Sequence, residues 1–124
     1  MTRTMLRLAA ALGVLAGCGG GADAADSGGA AFIVGAEDIR FDSDEYRLPA
    51  GEVTIELVQE GVLPHSLLIE DADGNALDFR LLVNAAELSD AGSVTLDAGS
   101  YVFFCDIAGH RAAGMESVVV VGGG

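Results

Sequence analysis

Residues 97–121 read DAGSYVFFCDIAGHRAAGMESVVVV. Two runs of strand-forming residues, Tyr101–Cys105 and Met115–Val121, flank a loop that is rich in Gly and Ala. β-Branched and aromatic side chains favour strands, and the continuous run Val118–Val121 is typical of a buried one. The turn residues Asp97–Ser100 predict a tight connection from the preceding strand. The segment therefore predicts two strands joined by a loop, at the end of a β domain.

The chain before this segment shows the same short strand-like runs separated by turn signals. In residues 52–59, Val53, Ile55 and Leu57 alternate with polar residues, which is the pattern of a half-buried strand. Asp73-Gly74-Asn75 is a turn signal. The predicted strands are 31–36, 52–59, 65–70, 78–83, 93–96, 101–105 and 115–121, and residues 84–90 are the one place where a helical turn is expected.

About seven or eight short strands with little helix predict an all-β fold, an antiparallel Greek-key β-sandwich. Residues 97–101 also resemble the tyrosine corner of such sandwiches. In that corner, the Tyr hydroxyl bonds back to nearby backbone and fixes a crossover, so we expect Tyr101 to do the same.

Four side chains of the predicted domain could bind a soft metal together. Cys105, His110 and Met115 form a Cys-x4-His-x4-Met loop, and His65, the other of two His in the chain, lies at a loop-to-strand junction. Taken singly, a buried Cys or a Met near a strand is ordinary core. A loop between neighbouring strands, however, can bend three side chains onto one point. Two imidazoles, a thiolate and a weak thioether are the ligand set of a blue copper site.

With these residues, and over residues 31–121, the sequence resembles the cupredoxins, the blue type 1 copper proteins. The Cys-to-Met loop is similar in length to that of auracyanin-like members and close to azurin's, whereas Pro64 before His65 is more like plastocyanin. The resemblance implies one copper ion cycling between Cu(I) and Cu(II). It implies His65, Cys105 and His110 as equatorial ligands and Met115 as the long axial ligand.

The resemblance also implies neighbours that tune the copper. The backbone N–H groups of Ser66 and Ile107 are the candidate donors to the Cys105 sulfur. Ser66 stands where many members have Asn, and we expect its shorter side chain to join the ligand loops less firmly. Asp106 replaces a common Ser or Thr and brings a negative charge near the metal, while Ala108 replaces a common Pro and leaves the loop freer. Hydrogen bonds to the sulfur raise the reduction potential and the Asp106 charge lowers it, so the net effect stays open.

Residues 1–17 read as a lipoprotein signal peptide. Arg3 and Arg7 are its only charges, and the apolar run Leu6–Ala16 is too short to span a membrane. The run ends in Leu-Ala-Gly-Cys, which resembles a bacterial lipobox, so Cys18 is the predicted lipidated N-terminus. The alternative is a plain signal peptide with an incidental Cys.

Residues 18–30 are the predicted linker, because after Cys18 only Gly, Ala, Asp and Ser occur and such a segment cannot bury enough apolar surface to fold. Residues 31–124 are the predicted cupredoxin-like domain. We therefore expect an exported, membrane-anchored lipoprotein that faces the periplasm or the cell exterior, with Cys105 as an unpaired thiol in an oxidising compartment.

The amino-acid composition limits the classes of molecule that the protein is expected to bind. The formal net charge is −13 and the chain contains no Lys, which argues against binding to nucleic acid or anionic lipid surfaces. The acidity fits a domain attracted to basic partners, or simple solubility. We expect a monomer whose redox partner proteins dock near His110, where Ala108, Ala112 and Ala113 would form a small apolar patch, unless these are ordinary loop residues.

The leading hypothesis is a one-electron transfer protein. A copper chaperone or buffer without an electron-transfer role is the alternative, but such proteins usually expose spare Met or His, and two of the three Met here lie in the predicted signal. We expect no enzyme activity and no catalytic residues, because a multicopper enzyme needs a second His-rich centre and both His are used by one site.

Overall fold

The computed structural model describes residues 30–122, so the predicted signal peptide, Cys18 and nearly all of the linker lie outside the described residues. Within this range, no helix is long and apolar enough to cross a membrane. The strands are β1 (Phe32–Glu37), β2 (Arg40–Phe41), β3 (Glu45–Leu48), β4 (Gly51–Gln59), β5 (His65–Glu70), β6 (Ala76–Val83), β7 (Ser89–Leu96), β8 (Gly99–Phe104) and β9 (Glu116–Val121).

These strands form two sheets, with the orders β2-β1-β4-β7 and β3-β9-β8-β5-β6. The predicted all-β sandwich is confirmed, with two corrections. The described part has nine strands, because the short β2 and β3 lie in a polar stretch without clear alternation. The sheets are mixed, since β1 runs parallel to β4 and β3 runs parallel to β9. The chain changes sheets between β2 and β3 and returns at β4, so that β1 pairs with β4, and β3 pairs with the distant β9.

The core lies between the two sheets and follows the period-2 pattern. Val53, Ile55 and Leu57 of β4 are buried, as the alternation predicts. The strand predicted as buried at Val118–Val121 is present but is buried on one side only, because only one face of β9 meets the core. Val119 and Val121 are buried there, whereas Val118 is half exposed on the outer face.

The predicted helical turn at residues 84–90 is also wrong. The Asn84 side-chain oxygen accepts the N–H groups of Ala86 and Glu87 at 2.8 and 2.9 Å. This side-chain turn satisfies the backbone without a helix, and β7 begins at Ser89.

A crossover fixes the end of the sandwich opposite the ligand loops. β7 belongs to one sheet and β8 to the other, so residues 97–98 carry the chain across the core. The Tyr101 hydroxyl donates to the Asp97 carbonyl oxygen at 2.9 Å, which confirms the tyrosine corner.

The pairing of β5 with β8 determines where the ligand segments meet. The two strands are antiparallel neighbours, with Leu68 opposite Phe104. In such a pair the start of one strand lies beside the end of the other. His65 starts β5 and Cys105 directly follows β8, so both reach the same end of the sandwich.

Replacing Tyr101 with Phe removes only the hydroxyl of the corner. Because one hydrogen bond contributes about 0.5–1.5 kcal/mol net, we expect the free energy of unfolding to fall by about 1 kcal/mol. Urea denaturation should show a lower midpoint with an unchanged slope. Ser100→Ala, at an exposed neighbour, is the control and should change stability by less than about 0.5 kcal/mol; equal stabilities for the two variants would contradict the role of the corner.

Candidate metal centre

Three of the four predicted ligands converge at one end of the sandwich. One ligand atom each from His65, Cys105 and His110 lie within 4.8 Å of one another. His65 and Cys105 are fully buried, and His110 is half-buried. The Cys105 Sγ and His110 Nδ1 are 3.6 Å apart, and the two imidazole centroids are 5.2 Å apart. The structure thus brings together side chains from two segments that are distant in sequence.

The His65 ring has one nitrogen engaged and one free. Its Nε2 lies 3.1 Å from Oδ1 of Asp38, while its Nδ1 is buried and has no hydrogen-bond partner among residues 30–122. A buried nitrogen without a partner is costly. A metal ion at the cluster would give Nδ1 the partner that the protein itself does not supply.

Met115 closes the ligand loop. Its side chain is fully buried in the core. Its N–H donates to the His110 carbonyl oxygen at 3.0 Å, and its own carbonyl oxygen accepts the Cys105 N–H at 3.2 Å. These bonds hold Met115 beside both loop ligands, and its assignment as the axial ligand stays a prediction.

The loop between Cys105 and Met115 is held by hydrogen bonds within its own backbone, although Ala108 was expected to leave it freer. The Ile107 carbonyl oxygen accepts the His110 N–H at 2.9 Å. Gly109 and Gly114 have φ values of +82° and +113°, which favour glycine, so the chain can turn sharply on either side of His110.

Arg111 fastens this loop to the sheet. Its guanidinium donates two hydrogen bonds to the Glu70 carboxylate, at 2.6 and 3.0 Å, and one to Glu116 at 2.9 Å. It also lies 4.3 Å from the centroid of the Phe104 ring. Planar two-point pairing of this kind restricts geometry more than a single contact does, so the residue after His110 has little freedom to move.

Ser66 joins the two ligand segments. Its backbone N–H donates to the Cys105 Sγ at 3.4 Å, as expected. Its hydroxyl donates to Asp106 Oδ1 at 2.6 Å and accepts the Asp106 N–H at 2.9 Å. The hydroxyl oxygen is also 3.5 Å from the sulfur, but its single proton is used in the shorter bond. The short Ser side chain therefore does connect the loops.

The negative charge of Asp106 is balanced. Arg80 donates to its two carboxylate oxygens at 3.0 and 3.2 Å. The Arg80 guanidinium, helped by the Ser66 hydroxyl, holds the pKa of Asp106 below its ordinary value against the opposing effect of burial. The Asp106 charge is thus shared with a cation. Within residues 30–122 the Ile107 N–H makes no hydrogen bond to the sulfur, so Ser66 is the expected donor that the structure supports.

Sequence reasoning did not identify Asp38, Arg80 or Glu70 as part of this end of the molecule. Asp38 precedes His65 by 27 residues and Arg80 precedes Asp106 by 26. No spacing pattern marks such pairs, since their contact depends on which strands are neighbours. For Asp38 and Glu70 the only available signal was an acidic residue at or near the end of a predicted strand, and in so acidic a chain such residues are common.

The chemistry of the ligand atoms indicates which metal the cluster suits. Imidazole nitrogen and thiolate sulfur are poor ligands for hard cations such as Mg²⁺ and Ca²⁺, and a trigonal two-His, one-Cys group with a weak axial thioether suits copper. The residues present fit one copper ion.

Comparisons with known proteins agree with this geometry. No family model and no curated protein matches the chain. The auracyanin of Roseiflexus castenholzii, solved after dithionite reduction, is 20% identical, with a TM-score of 0.63 over 73% of this chain and 95% of that one. Auracyanin A of Chloroflexus aurantiacus, a "blue" copper protein, is 21% identical, with a TM-score of 0.63 over 74% and 98%. Amicyanin of Paracoccus versutus is 25% identical, with a TM-score of 0.55 over 78% and 86%. The chain has the cupredoxin fold, as the sequence resemblance implies.

Replacing Ser66 with Ala tests the connection between the ligand segments. The change leaves the Asp106 N–H without its acceptor and removes a donor from the carboxylate, at a fully buried position. We expect the metal-free protein to lose about 1–3 kcal/mol of unfolding free energy, measured by urea denaturation. Ser93→Ala breaks an exposed hydroxyl pair with Thr54 and is the matched control, with an expected loss below about 0.5 kcal/mol. A Ser66 variant as stable as the control would contradict the assigned role.

Proposed function

We propose that this chain is a one-electron transfer protein with a single type 1 copper ion, tethered to the extracytoplasmic face of a membrane. The observation that carries the proposal is the convergence of His65, Cys105 and His110 within 4.8 Å at one end of a cupredoxin sandwich, beside the buried Met115. One structural neighbour is a blue copper protein, and others are known in reduced and oxidised forms, which supports a redox role.

Bound copper supplies a one-electron couple between Cu(II) and Cu(I). The protein's part is to present one set of ligands that both states accept, since imidazole nitrogen suits Cu(II) and thiolate and thioether sulfur suit Cu(I). His65 and Cys105 are fully buried, which excludes water from their side of the site. The Ser66 and Arg111 contacts hold the ligand segments in place, so little has to move when an electron is gained or lost.

His110 offers the route to a partner protein. It is the half-buried ligand, and Ala108, Ala112 and Ala113 beside it are exposed. Small side chains allow close approach, so a partner could come near the imidazole edge. We therefore place the docking site for redox partner proteins around His110.

The direction of β1 suits a tethered carrier. β1 starts at Phe32 opposite Ile55 and ends at Glu37, one residue before Asp38, which contacts His65. The chain therefore enters the sandwich at the end away from the metal cluster. Six strand residues span about 20 Å. A lipid at Cys18 would thus hold the domain by the end away from His110. The predicted linker would let the domain move within roughly 20 Å of the anchor.

The burial of the donors favours a carrier over a copper chaperone or buffer. Proteins that pass copper on need donors that a partner can approach, whereas His65 and Cys105 are fully enclosed here. Both His of the chain lie in this one cluster, so no second His-rich centre of an oxidase or nitrite reductase can be built from it.

Addition of Cu(II) to the purified protein should produce an intense blue absorption that ascorbate bleaches, because a thiolate bound to Cu(II) absorbs strongly in the visible. Cys105→Ser should abolish the colour, since it removes the thiolate. Met115→Leu is the matched variant on the same loop and should keep the colour while raising the reduction potential. Only weak absorption in the wild type, or rapid loss of copper to a mild chelator, would favour the chaperone or buffer; a blue Cys105→Ser variant would contradict the ligand assignment.

Cys18→Ser tests the anchor in the full chain expressed in a bacterium. We expect the wild type in the membrane fraction and the variant in the soluble extracytoplasmic fraction, because the variant lacks the thiol that would carry lipid. Cys105→Ser is the control, since it removes the chain's other Cys and should stay with the membrane. Membrane association unchanged by Cys18→Ser would count against lipidation.

A further inference from the structure

Asp38 makes an unusual concentration of contacts for a residue in a surface turn. It lies between β1 and β2, and one of its carboxylate oxygens, Oδ1, has three neighbours. Oδ1 accepts the N–H groups of Val62 and Leu63 at 2.9 and 3.1 Å and lies 3.1 Å from the His65 Nε2. A single oxygen therefore connects the turn after β1 to the segment that leads into the first ligand.

The backbone around this carboxylate is adapted to it. A Cβ on Gly61 would lie 2.0 Å from Asp38 Oδ1 and 2.5 Å from its Cγ, so only glycine leaves room for the carboxylate at this position. The next residue in the turn, Ile39, has a φ of +65°, which is rare for a β-branched side chain. The glycine at position 61 thus accommodates the Asp38 carboxylate.

The contact with His65 determines what the imidazole can do. A carboxylate that accepts from Nε2 keeps the proton on that nitrogen and leaves the Nδ1 lone pair free. The His65 Nδ1 is the buried nitrogen that has no partner among residues 30–122, and a ligand atom of this ring lies in the cluster with Cys105 and His110. The geometry therefore prepares Nδ1 as the metal-binding atom before any metal arrives.

Asp38 also differs from the other carboxylate near the site. The Asp106 charge is paired with Arg80, whereas within the described chain the ion pairs of Asp38 include no arginine, only His65. Nearby Arg40 lies 3.5 Å from Glu37 instead. The Asp38 charge is thus in direct contact with a ligand and is not offset by a cation.

We infer that Asp38 is the positioning residue for the metal centre: it selects the metal-binding tautomer of His65, and its charge stabilises the oxidised state and lowers the reduction potential. The effect on the reduction potential rests on the proposed copper function, whereas the selection of the His65 tautomer does not require a metal.

The test uses four variants of the whole protein. Asp38→Asn keeps an acceptor oxygen but removes the charge, and Asp38→Ala removes both. Gly61→Ala keeps the charge but displaces the carboxylate. Glu37→Gln is the matched control, because it removes one charge from the neighbouring residue, which has no contact with His65. Nitrogen-15 NMR of the metal-free protein reports the His65 tautomer; voltammetry and Cu(II) competition titrations report the potential and the affinity.

In the metal-free wild type and in Asp38→Asn, we expect His65 to carry its proton on Nε2, because the acceptor oxygen remains. In Asp38→Ala and Gly61→Ala we expect a mixture of tautomers and Cu(II) binding weakened about 10–100-fold. Asp38→Asn should weaken Cu(II) about tenfold relative to Cu(I), which corresponds to a potential about 59 mV higher. Glu37→Gln should change the potential much less.

An unchanged His65 tautomer in Asp38→Ala would overturn the positioning role, and an Asp38→Asn potential no higher than that of Glu37→Gln would overturn the electrostatic role. Should Gly61→Ala fail to fold, the two Asp38 variants still decide both points. A wild type that gives no blue copper band would refute the proposed function alone, because the tautomer measurement in the metal-free protein still tests Asp38.

Discussion

The hydrogen bonds of Ser66 to Cys105 and Asp106 join segments 39 and 40 residues apart, and the metal centre depends on this connection. β5 and β8 are antiparallel neighbours, which brings the start of one strand to the end of the other. That pairing places the two segments side by side but does not fix the distance between His65 and the sulfur. The Ser66 backbone N–H and hydroxyl do so, because each contacts the opposite segment. A fully buried serine at this position has both its donor and its acceptor capacity used.

The two aspartates beside the metal centre, Asp106 and Asp38, differ in whether a cation balances their charge. Asp106 follows the thiolate directly in sequence, yet its charge is paired with Arg80 through two hydrogen bonds. Asp38 is distant from the predicted ligands in sequence but contacts His65 without a compensating cation in the described chain. The Leu63 N–H, and then the His65 ring, hold the pKa of Asp38 below its ordinary value, so the carboxylate is ionised at neutral pH. Asp106, which the sequence marks by its position next to Cys105, is therefore better neutralised than Asp38.

The convergence of His65, Cys105 and His110 could be predicted from the sequence because spacing constrained it. Cys105, His110 and Met115 share one loop between neighbouring strands, and only one other His exists in the chain. The alternation in β4 and the tyrosine corner could also be predicted, since each depends on residues within a few positions of one another. Such local patterns were enough to predict most features of the fold class.

What the sequence did not indicate depends on contacts between distant segments. β2 has two residues and β3 has four, too few for a periodic signal, and the parallel pairing of β1 with β4 follows from a change of sheet. Val118 belongs to a run of four valines, but the sequence does not say that solvent covers the outer face of β9. The roles of Asp38 and Arg80 are of the same kind, because each contact exists only after the sheets have formed.

The strand directions determine which segments meet at the metal-binding end of the sandwich. β1 starts at Phe32, at the end away from the metal cluster, and finishes beside the turn that contains Asp38. β4 runs parallel to it and leads into Gly61, the residue that leaves room for the Asp38 carboxylate. Because β1 and β4 are parallel, the Asp38 carboxylate and the segment around Gly61 lie at the same end of the sandwich. In an antiparallel pair, one of them would lie at the opposite end of the sandwich, so the mixed topology of this sheet is itself a condition for the contact between Asp38 and His65.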